Sequence, residues 1–148
     1  MSLSQKCQYA VRAVYELARR RQGSELTTIA HIARAQAVPA RFLETILSQL
    51  RQAGFVEARR GVQGGYLLRV APKDLTVGEV IRSIDGPQDP VRCTNGQDEP
   101  CQLVGRCVFM KLWQDASSAA AKVYQTTFHD LMEQAQTCQS DSDRDYII

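Results

Sequence analysis

The sequence lacks the features that would assign the protein to a membrane or to the secretory pathway. Its chain has 148 residues, and no apolar run in it approaches the roughly 18 residues that a membrane span requires. The start, Met1–Lys6, has no apolar core of the kind found in a signal peptide. We therefore expect a cytoplasmic protein that has no membrane partner.

Residue sets typical of enzymes are also absent. The only histidines are His31 and His129; no Ser/His/Asp set and no pair of carboxylates in a cleft is evident, and both histidines are expected at the surface. The glycine-rich stretch Gly61–Gly65 lacks the Lys-Ser/Thr pair and the following helix of a phosphate-binding P-loop. We expect that the protein is not an enzyme.

The net charge of +2 conceals an uneven distribution along the chain. Residues 1–74 contain 12 Lys and Arg against 5 Asp and Glu, a net charge of +7, whereas residues 75–148 contain 6 against 11, a net charge of −5. A basic half joined to an acidic half suggests that one face meets a polyanion such as DNA or RNA. Chance segregation of surface charge is the alternative.

The hydrophobic pattern of the first half predicts three helices. Apolar residues recur at helical spacing from Ser4 to about Arg21, and a shorter helix follows that Thr27 or Thr28 can cap. After a short turn, Pro39 suits the first turn of a third helix. Two short helices joined by such a turn are typical of a helix-turn-helix, and an ordinary antiparallel helix pair is the alternative.

A glycine-rich hairpin follows the third helix directly. Phe55–Arg60 and Tyr66–Val70 are predicted strands, and the three glycines of Gly61–Gly65 permit the tight turn between them. A hairpin placed directly after a recognition helix, with Arg59 and Arg60 at its tip, indicates a wing. Arginine at such a tip can enter a narrow minor groove, where the electrostatic potential is most negative.

The predicted DNA contacts therefore come from the cap of the second helix, the start of the third helix and the hairpin. In a helix-turn-helix, residues near the start of the second of its two helices read the bases. The predicted DNA-binding residues are Thr28, Pro39, Ala40, Arg41, Glu44, Thr45, Ser48, Arg59, Arg60, Gly61, Gln63 and Gly64. We expect residues 1–74 to form a winged helix-turn-helix domain.

The second half predicts a short helix, a loop and one long helix. The short helix ends at Asp85, residues 86–102 form a proline-containing loop, and an apolar seam at helical spacing then runs from Cys107 to about Ala135. A helix of this length on so small a core is expected to pair with its copy in a second subunit; packing within its own chain is the alternative. The expected fold class is thus mainly α with a small β-hairpin, with residues 75–138 forming the second unit and 139–148 a flexible acidic tail.

Five cysteines are present, and without a secretory signal we expect thiols or metal ligands rather than disulfides. Cys93, Cys101 and Cys107 lie within 15 residues, separated by gaps of seven and five. Three thiolates suit an iron–sulfur cluster, [2Fe–2S] or [4Fe–4S], because such clusters are held mainly by cysteine. Three thiolates also make three-quarters of a zinc site, and a thiol redox switch or inert cysteines are further alternatives.

Several motifs taken together resemble one known family. The matching segments are Tyr9–Arg12, Phe42–Glu44, Ile46-Leu47 with Leu50, Ala53–Val56, Arg60-Gly61, Gly64–Leu67 and Val77–Val80. Over about residues 1–135 the chain resembles the bacterial winged-helix regulators of the IscR/NsrR/RirA/CymR family, of the cluster-binding type. The resemblance implies a homodimeric repressor on a palindromic operator, with a cluster on the three cysteines whose loss, oxidation or nitrosylation changes DNA affinity.

The sequence departs from this family at the remaining cluster ligand. IscR has a histidine three residues after the third cysteine, where this sequence has Met110, and NsrR has an aspartate near the N-terminus, where this sequence has Gln8. Cys7 is a neighbouring candidate, although it would face a different side of the first helix from Gln8. The cysteine gaps match RirA best, whereas CymR lacks the cysteines and works through a protein partner. A regulator with a thiol or zinc switch is the alternative function.

Overall fold

A computed structural model describes residues 3–21, 25–88, 101–103 and 105–144, with the backbone alone beyond residue 138. The mainly helical architecture with one small hairpin is confirmed. In chain order the elements are helices α1 (Gln5–Arg20), α2 (Ile29–Gln36) and α3 (Ala40–Gln52), strands β1 (Val56–Arg59) and β2 (Gly65–Leu68), a 3-10 turn at Pro72–Asp74, and helices α4 (Val77–Asp85), α5 (Met110–Tyr124) and α6 (Phe128–Arg144).

Helix α1 lies at the centre of the core. Its apolar residues recur every three or four positions, so they form one buried stripe, which includes Ala10, Ala13, Val14 and Leu17. The alanines let neighbouring helices approach closely, and α2, α3, α4 and α6 all contact α1. Burying a leucine side chain fully stabilises the fold by about 1.5–3 kcal/mol relative to leaving it exposed.

Local backbone geometry and capping define where the two helices of the helix-turn-helix begin and end. Thr28 caps α2, since its hydroxyl accepts from the His31 backbone N–H at 3.2 Å, and Ala37 ends α2 in the left-handed region with φ 51°. Pro39 precedes α3 as its N-cap rather than lying in its first turn. Thr27, the other capping candidate, instead exchanges two backbone hydrogen bonds with Tyr66, of 2.8 and 2.9 Å.

Strands β1 and β2 form an antiparallel hairpin directly after α3. Val56 pairs with Leu68 and Arg59 pairs with Gly65, and an isolated antiparallel bridge joins Thr27 to Tyr66 of β2. The turn requires glycine at Gly64, because a Cβ there would lie 2.5 Å from the Arg59 carbonyl oxygen. The hairpin therefore has the position and shape of a wing.

Helix α4 has a capping box at its start and is hydrogen-bonded to the start of α1 at its end. Thr76 and Glu79 form a capping box at its first turn. At its last residue, Asp85 accepts a hydrogen bond from the Ser4 backbone N–H at 2.8 Å and another from the Ser4 hydroxyl at 2.6 Å. A carboxylate at the start of α1 is favoured because helix N-termini carry partial positive charge.

The prediction of one long helix after Cys107 was wrong, because the chain leaves helical geometry between α5 and α6. There the carbonyl of Thr126 accepts from the Val77 N–H at 2.9 Å, and the Phe128 N–H donates to Leu75 at 3.1 Å. Thr127 then caps α6, since its hydroxyl accepts from the Asp130 N–H at 3.1 Å. Pairing with the segment before α4 thus interrupts the helix and buries Phe128 completely.

The chain also differs from expectation at its end. Helix α6 continues to Arg144, so no change of backbone structure marks residue 139, where the flexible tail was expected to begin. Residues 145–148 lie outside the described residues.

We expect Phe128→Ala to lower the free energy of unfolding by about 3–5 kcal/mol, because it removes a fully buried aromatic ring. Urea denaturation followed by circular dichroism measures the change. Val62→Ala, at a fully exposed position, serves as control and should change stability by less than about 0.5 kcal/mol. A loss below about 1 kcal/mol for Phe128→Ala would contradict the packing of α6 against the core.

Candidate DNA-binding surface and cysteine segment

The outer side of α3 begins at an unprotected helix start. Pro39 has no side-chain donor or acceptor to cap the first turn, so backbone N–H groups there are available to an anion. The predicted contact residues Ala40, Arg41, Glu44 and Thr45 are exposed, and Ser48 is half-buried. The start of α3 thus presents both backbone donors and side chains to solvent.

Arg41 is held against aromatic side chains. Its guanidinium lies 4.8 Å from the centre of the Phe42 ring, which in turn packs on Tyr9 with ring centres 5.7 Å apart. Phe42 itself is 38% exposed, so this aromatic contact lies at the surface. Stacking on a ring limits the rotamers of Arg41, so less freedom is lost when it binds a ligand.

The hairpin presents a second set of predicted contacts. Arg60, Gly61 and Gln63 are exposed, and Gly64 is half-buried. Arg59 is exposed but donates to Glu57 at 3.2 Å, which leaves Arg60 as the cation at the wing without a recorded ion pair in the described part of the chain. Val62, which the sequence analysis did not single out, is fully exposed at the tip.

The three predicted contact regions adjoin one another. Thr28 is exposed at the start of α2, and α3 contacts both α2 and β1. The helix cap, the recognition helix and the wing are therefore connected through α3.

The sequence patterns did not identify the buried carboxylate of Glu16, which lies beneath α2. Glu16 is only 3% exposed; its Oε1 lies 3.0 Å from His31 Nε2, and its Oε2 accepts from Gln36 Nε2 at 2.9 Å. Burial acts to raise the pKa of Glu16, but the hydrogen bonds from Gln36 and His31, with the charge of Arg19, outweigh it and lower that pKa. His31, expected at the surface, is half-buried in this network.

The second histidine lies elsewhere, as a surface residue. His129 is exposed on α6, with Nε2 3.4 Å from Glu133 Oε1. The surface position that was expected for both histidines is therefore found for His129 and not for His31.

Two of the three predicted cluster ligands lie in the described part of the chain. Cys101 is exposed, and its Sγ accepts from the Leu103 N–H at 3.5 Å. Cys107 is half-buried, and its carbonyl accepts from the Met110 N–H, at the start of α5. Both are free thiols, while Cys93 lies outside the described residues. Within the described ranges no three His, Cys, Asp or Glu residues are arranged to hold a metal ion.

Cys7 differs from both of these thiols. It is fully buried, and burial, followed by the charge and hydrogen bond of Asp85, raises its pKa to about 12. The adjacent Gln8 is exposed. Cys7 is therefore a core thiol, and its complete burial argues against it as the remaining cluster ligand.

Helix α5 exposes apolar side chains within the described part of the chain. Among its described residues none is fully buried. Four apolar side chains in and just before it, Val108, Phe109, Leu112 and Val123, are between 56% and 84% exposed. Exposed apolar side chains that recur along one helix are typical of interaction sites in soluble proteins.

A family model described as Rrf2, iron-dependent transcriptional regulator, matches residues 3–134 of this chain. The chain belongs to the Rrf2 family. An rrf2-like HTH-type transcriptional regulator of Rhodobacter capsulatus is 44% identical over 102 residues, which cover 67% of this chain and 68% of that protein. IscR of Vibrio atlanticus is 38% identical over 118 residues, covering 80% of this chain and 66% of IscR. This chain thus spans about two thirds of the length of both relatives.

The fold comparison agrees with the family assignment. The structure of CymR, described as the global cysteine regulator of B. subtilis, superposes with a TM-score of 0.74 at 32% identity, covering 90% of this chain and 98% of CymR. The winged-helix fold class is thereby confirmed, and so is the expectation that this Rrf2 protein is a transcription regulator rather than an enzyme. None of the described helices is long and apolar enough to cross a membrane.

We expect Cys7 to resist alkylation at pH 8, because a thiol with a pKa of about 12 is almost entirely protonated there and the side chain is buried. Iodoacetamide treatment of the reduced, metal-free protein followed by peptide mass spectrometry measures this. Exposed Cys101 should react at least about tenfold faster, and both should react alike in denaturant. Equal rates in the native protein would show that Cys7 is accessible.

Proposed function

We propose that this Rrf2 protein is a homodimeric repressor whose DNA affinity is set by an iron–sulfur cluster on Cys93, Cys101 and Cys107, and that it senses iron, redox state or nitric oxide. The observation that carries the proposal is the position of the free thiols of Cys101 and Cys107. They lie in the segment between α4, which follows the winged helix-turn-helix, and the start of α5. Its site of action is the cytoplasm, where a bacterial regulator meets DNA.

DNA recognition rests on α3 and the wing. In this proposal Arg41, Glu44 and Thr45, which are exposed near the start of α3, read bases in the major groove. The exposed Arg60 at the wing is a phosphate or minor-groove contact. Thr28 and Pro39, together with the backbone N–H of Ala40, which no side chain caps, contact phosphates. Ser48, Arg59, Gly61, Gln63 and Gly64 complete the proposed surface.

Dimerisation rests on α5. None of the described side chains of α5 is fully buried, and Leu112 and Val123 are exposed to solvent. A second copy of the chain that covered these side chains would stabilise the helix. A two-fold dimer presents two recognition helices, and a palindromic operator is the DNA sequence that matches such symmetry.

The cysteines fit a cluster by their chemistry. Thiolates are the preferred ligands of iron–sulfur clusters, and Cys101 and Cys107 are free thiols. When bound, the cluster would supply iron that responds to oxidants and nitric oxide. Burial of Cys7 leaves the remaining ligand to another group.

A physical connection joins this segment to the DNA-binding domain. The cysteine-bearing segment follows α4, whose last residue, Asp85, is bonded to Ser4 at the start of α1. Helix α1 in turn contacts α3. Cluster binding by this segment would bias the position of α4, and hence of α1 and the recognition helix.

A winged-helix regulator without a cluster is the second candidate, using a thiol or zinc switch or a protein partner. The similarity to CymR, whose described role is in cysteine regulation, favours it. The exposed free thiol of Cys101 suits such a switch.

Anaerobic purification tests the cluster. We expect a coloured protein that contains iron and sulfide, and a loss of colour in Cys101→Ala because a thiolate ligand is removed. Cys138→Ala, at another exposed cysteine, is the matched control and should keep its colour. A colourless wild type without iron or sulfide would exclude the cluster, and a DNA affinity that then responds to oxidant or chelator would support the second candidate.

Two substitutions test the DNA surface separately. Arg60→Ala should weaken binding to all sequences. It should also reduce the slope of log K against log salt concentration by about the amount that one phosphate contact contributes. Glu44→Ala should mainly change the preferred bases. Fluorescence anisotropy on selected and scrambled duplexes measures both effects, with the exposed Arg82→Ala on α4 as the charge control. Unchanged binding in both variants would refute the assignment of α3 and the wing.

A further inference from the structure

We infer that Glu16 is a positioning residue for DNA binding, because its carboxylate fixes the orientation of α2 by holding a residue near its start and the residue at its end. The inference rests on DNA binding through the helix-turn-helix, as proposed above. It concerns a side chain on α1 that does not itself face the DNA-binding surface.

The two carboxylate oxygens bind two different points on α2. Oε1 accepts from His31, the third residue of α2, over 3.0 Å, and Oε2 accepts from Gln36, the last residue, over 2.9 Å. Hydrogen bonds are directional. Two of them from one group therefore restrict both the tilt of α2 and its rotation about its own axis.

Apolar packing alone leaves α2 less well fixed. Of its eight residues only Ile32 is fully buried, and Ile29 and Ala33 are partly buried. Apolar contacts are non-directional, so a short helix with one fully buried residue can pivot about it. The polar contacts to Glu16 supply the missing restraint.

The network has a defined donor arrangement at His31. A carboxylate only accepts, so the contact with Glu16 requires a proton on His31 Nε2. The Arg20 NH1 group lies 3.1 Å from the same nitrogen, but its NH2 group donates to Glu25 at 2.9 Å. Glu16 thus holds the His31 ring, while the NH2 group of Arg20 is bonded to Glu25.

The carboxylate of Glu16 is compensated at its buried position. Arg19, 3.5 Å from Oε2, forms an ion pair with it but is itself more than half exposed. Replacing a whole buried polar network by apolar residues of similar size is often neutral or stabilising, whereas removing one member leaves the others unpaired. Stability alone therefore does not explain why this network is present, and a geometric role does.

The restraint reaches the DNA-binding surface through α2. The backbone N–H of His31 donates to the Thr28 hydroxyl at 3.2 Å, so the residue whose ring Glu16 holds also closes the cap. At the other end, the Val38 N–H donates to Ala33 at 3.0 Å in the turn that leads to Pro39. A change in the orientation of α2 therefore displaces Thr28 and the start of α3 together.

Four variants test the inference. Glu16→Met removes both acceptors but keeps a side chain of similar length. Glu16→Gln is the conservative rescue, because its amide oxygen can accept from His31 and its amide N–H can donate to a flipped Gln36. Gln36→Met removes one of the two bonds. Gln134→Met, the same chemical change at an exposed position on α6, is the matched control.

The probe is a duplex enriched from random DNA by the wild-type protein, so no operator has to be known. Dissociation constants are measured by fluorescence anisotropy at 25 °C, and thermal unfolding of each variant is followed by circular dichroism. We expect Glu16→Met to be folded and to bind at least about tenfold more weakly. Gln36→Met should be intermediate, while Glu16→Gln and Gln134→Met should remain within about threefold of wild type.

Wild-type affinity in folded Glu16→Met would overturn the inference, even if its Tm fell, because Glu16 would then only stabilise the fold. If Glu16→Met does not fold, the affinity of the Gln36→Met variant is the test, and a wild-type dissociation constant for that variant would overturn the inference. Failure of the wild type to enrich any duplex would refute the proposed function itself and the inference with it.

Discussion

Helix α1 contacts α2, α3, α4, α6 and β2, so the fit of its buried side gives the fold its geometry. The stripe consists mostly of small side chains, with Ala10, Ala13 and Ala18 next to the larger Leu17. Small residues allow short distances between helix axes, and any added methylene must displace a whole neighbouring element. The positions of the recognition helix and of α4 are thus determined by the same surface.

The two ends of α1 have different polar partners. At the N-terminal end, Ser4 is bonded to Asp85 at the end of α4, beside the buried thiol of Cys7. Toward the C-terminal end, Glu16 is bonded to both ends of α2. Helix α1 therefore contacts both α4, which precedes the cysteine-bearing segment, and the two helices of the helix-turn-helix.

Much of the candidate site follows from local sequence rules. Helical periodicity and the position of Pro39 located the start of α3, and the glycines located the wing, because capping and turn chemistry act over a few residues. The role of Glu16 could not be found in this way. An acid within an apolar stripe is a visible signal, but its partners, His31 and Gln36, are identified only once α2 is packed on α1. For the same reason His31 was assigned to the surface.

The sequence by itself determined helices α1 to α4, the hairpin and the family to which the chain is similar, since these depend on periodicity and on short motifs. Only the tertiary structure decided where α5 ends. The apolar seam continues past Thr126 at helical spacing, yet the backbone there hydrogen-bonds to Leu75 and Val77, about fifty residues earlier in the chain. A contact between segments so far apart leaves no periodic trace, so it becomes visible only when the core brings them together.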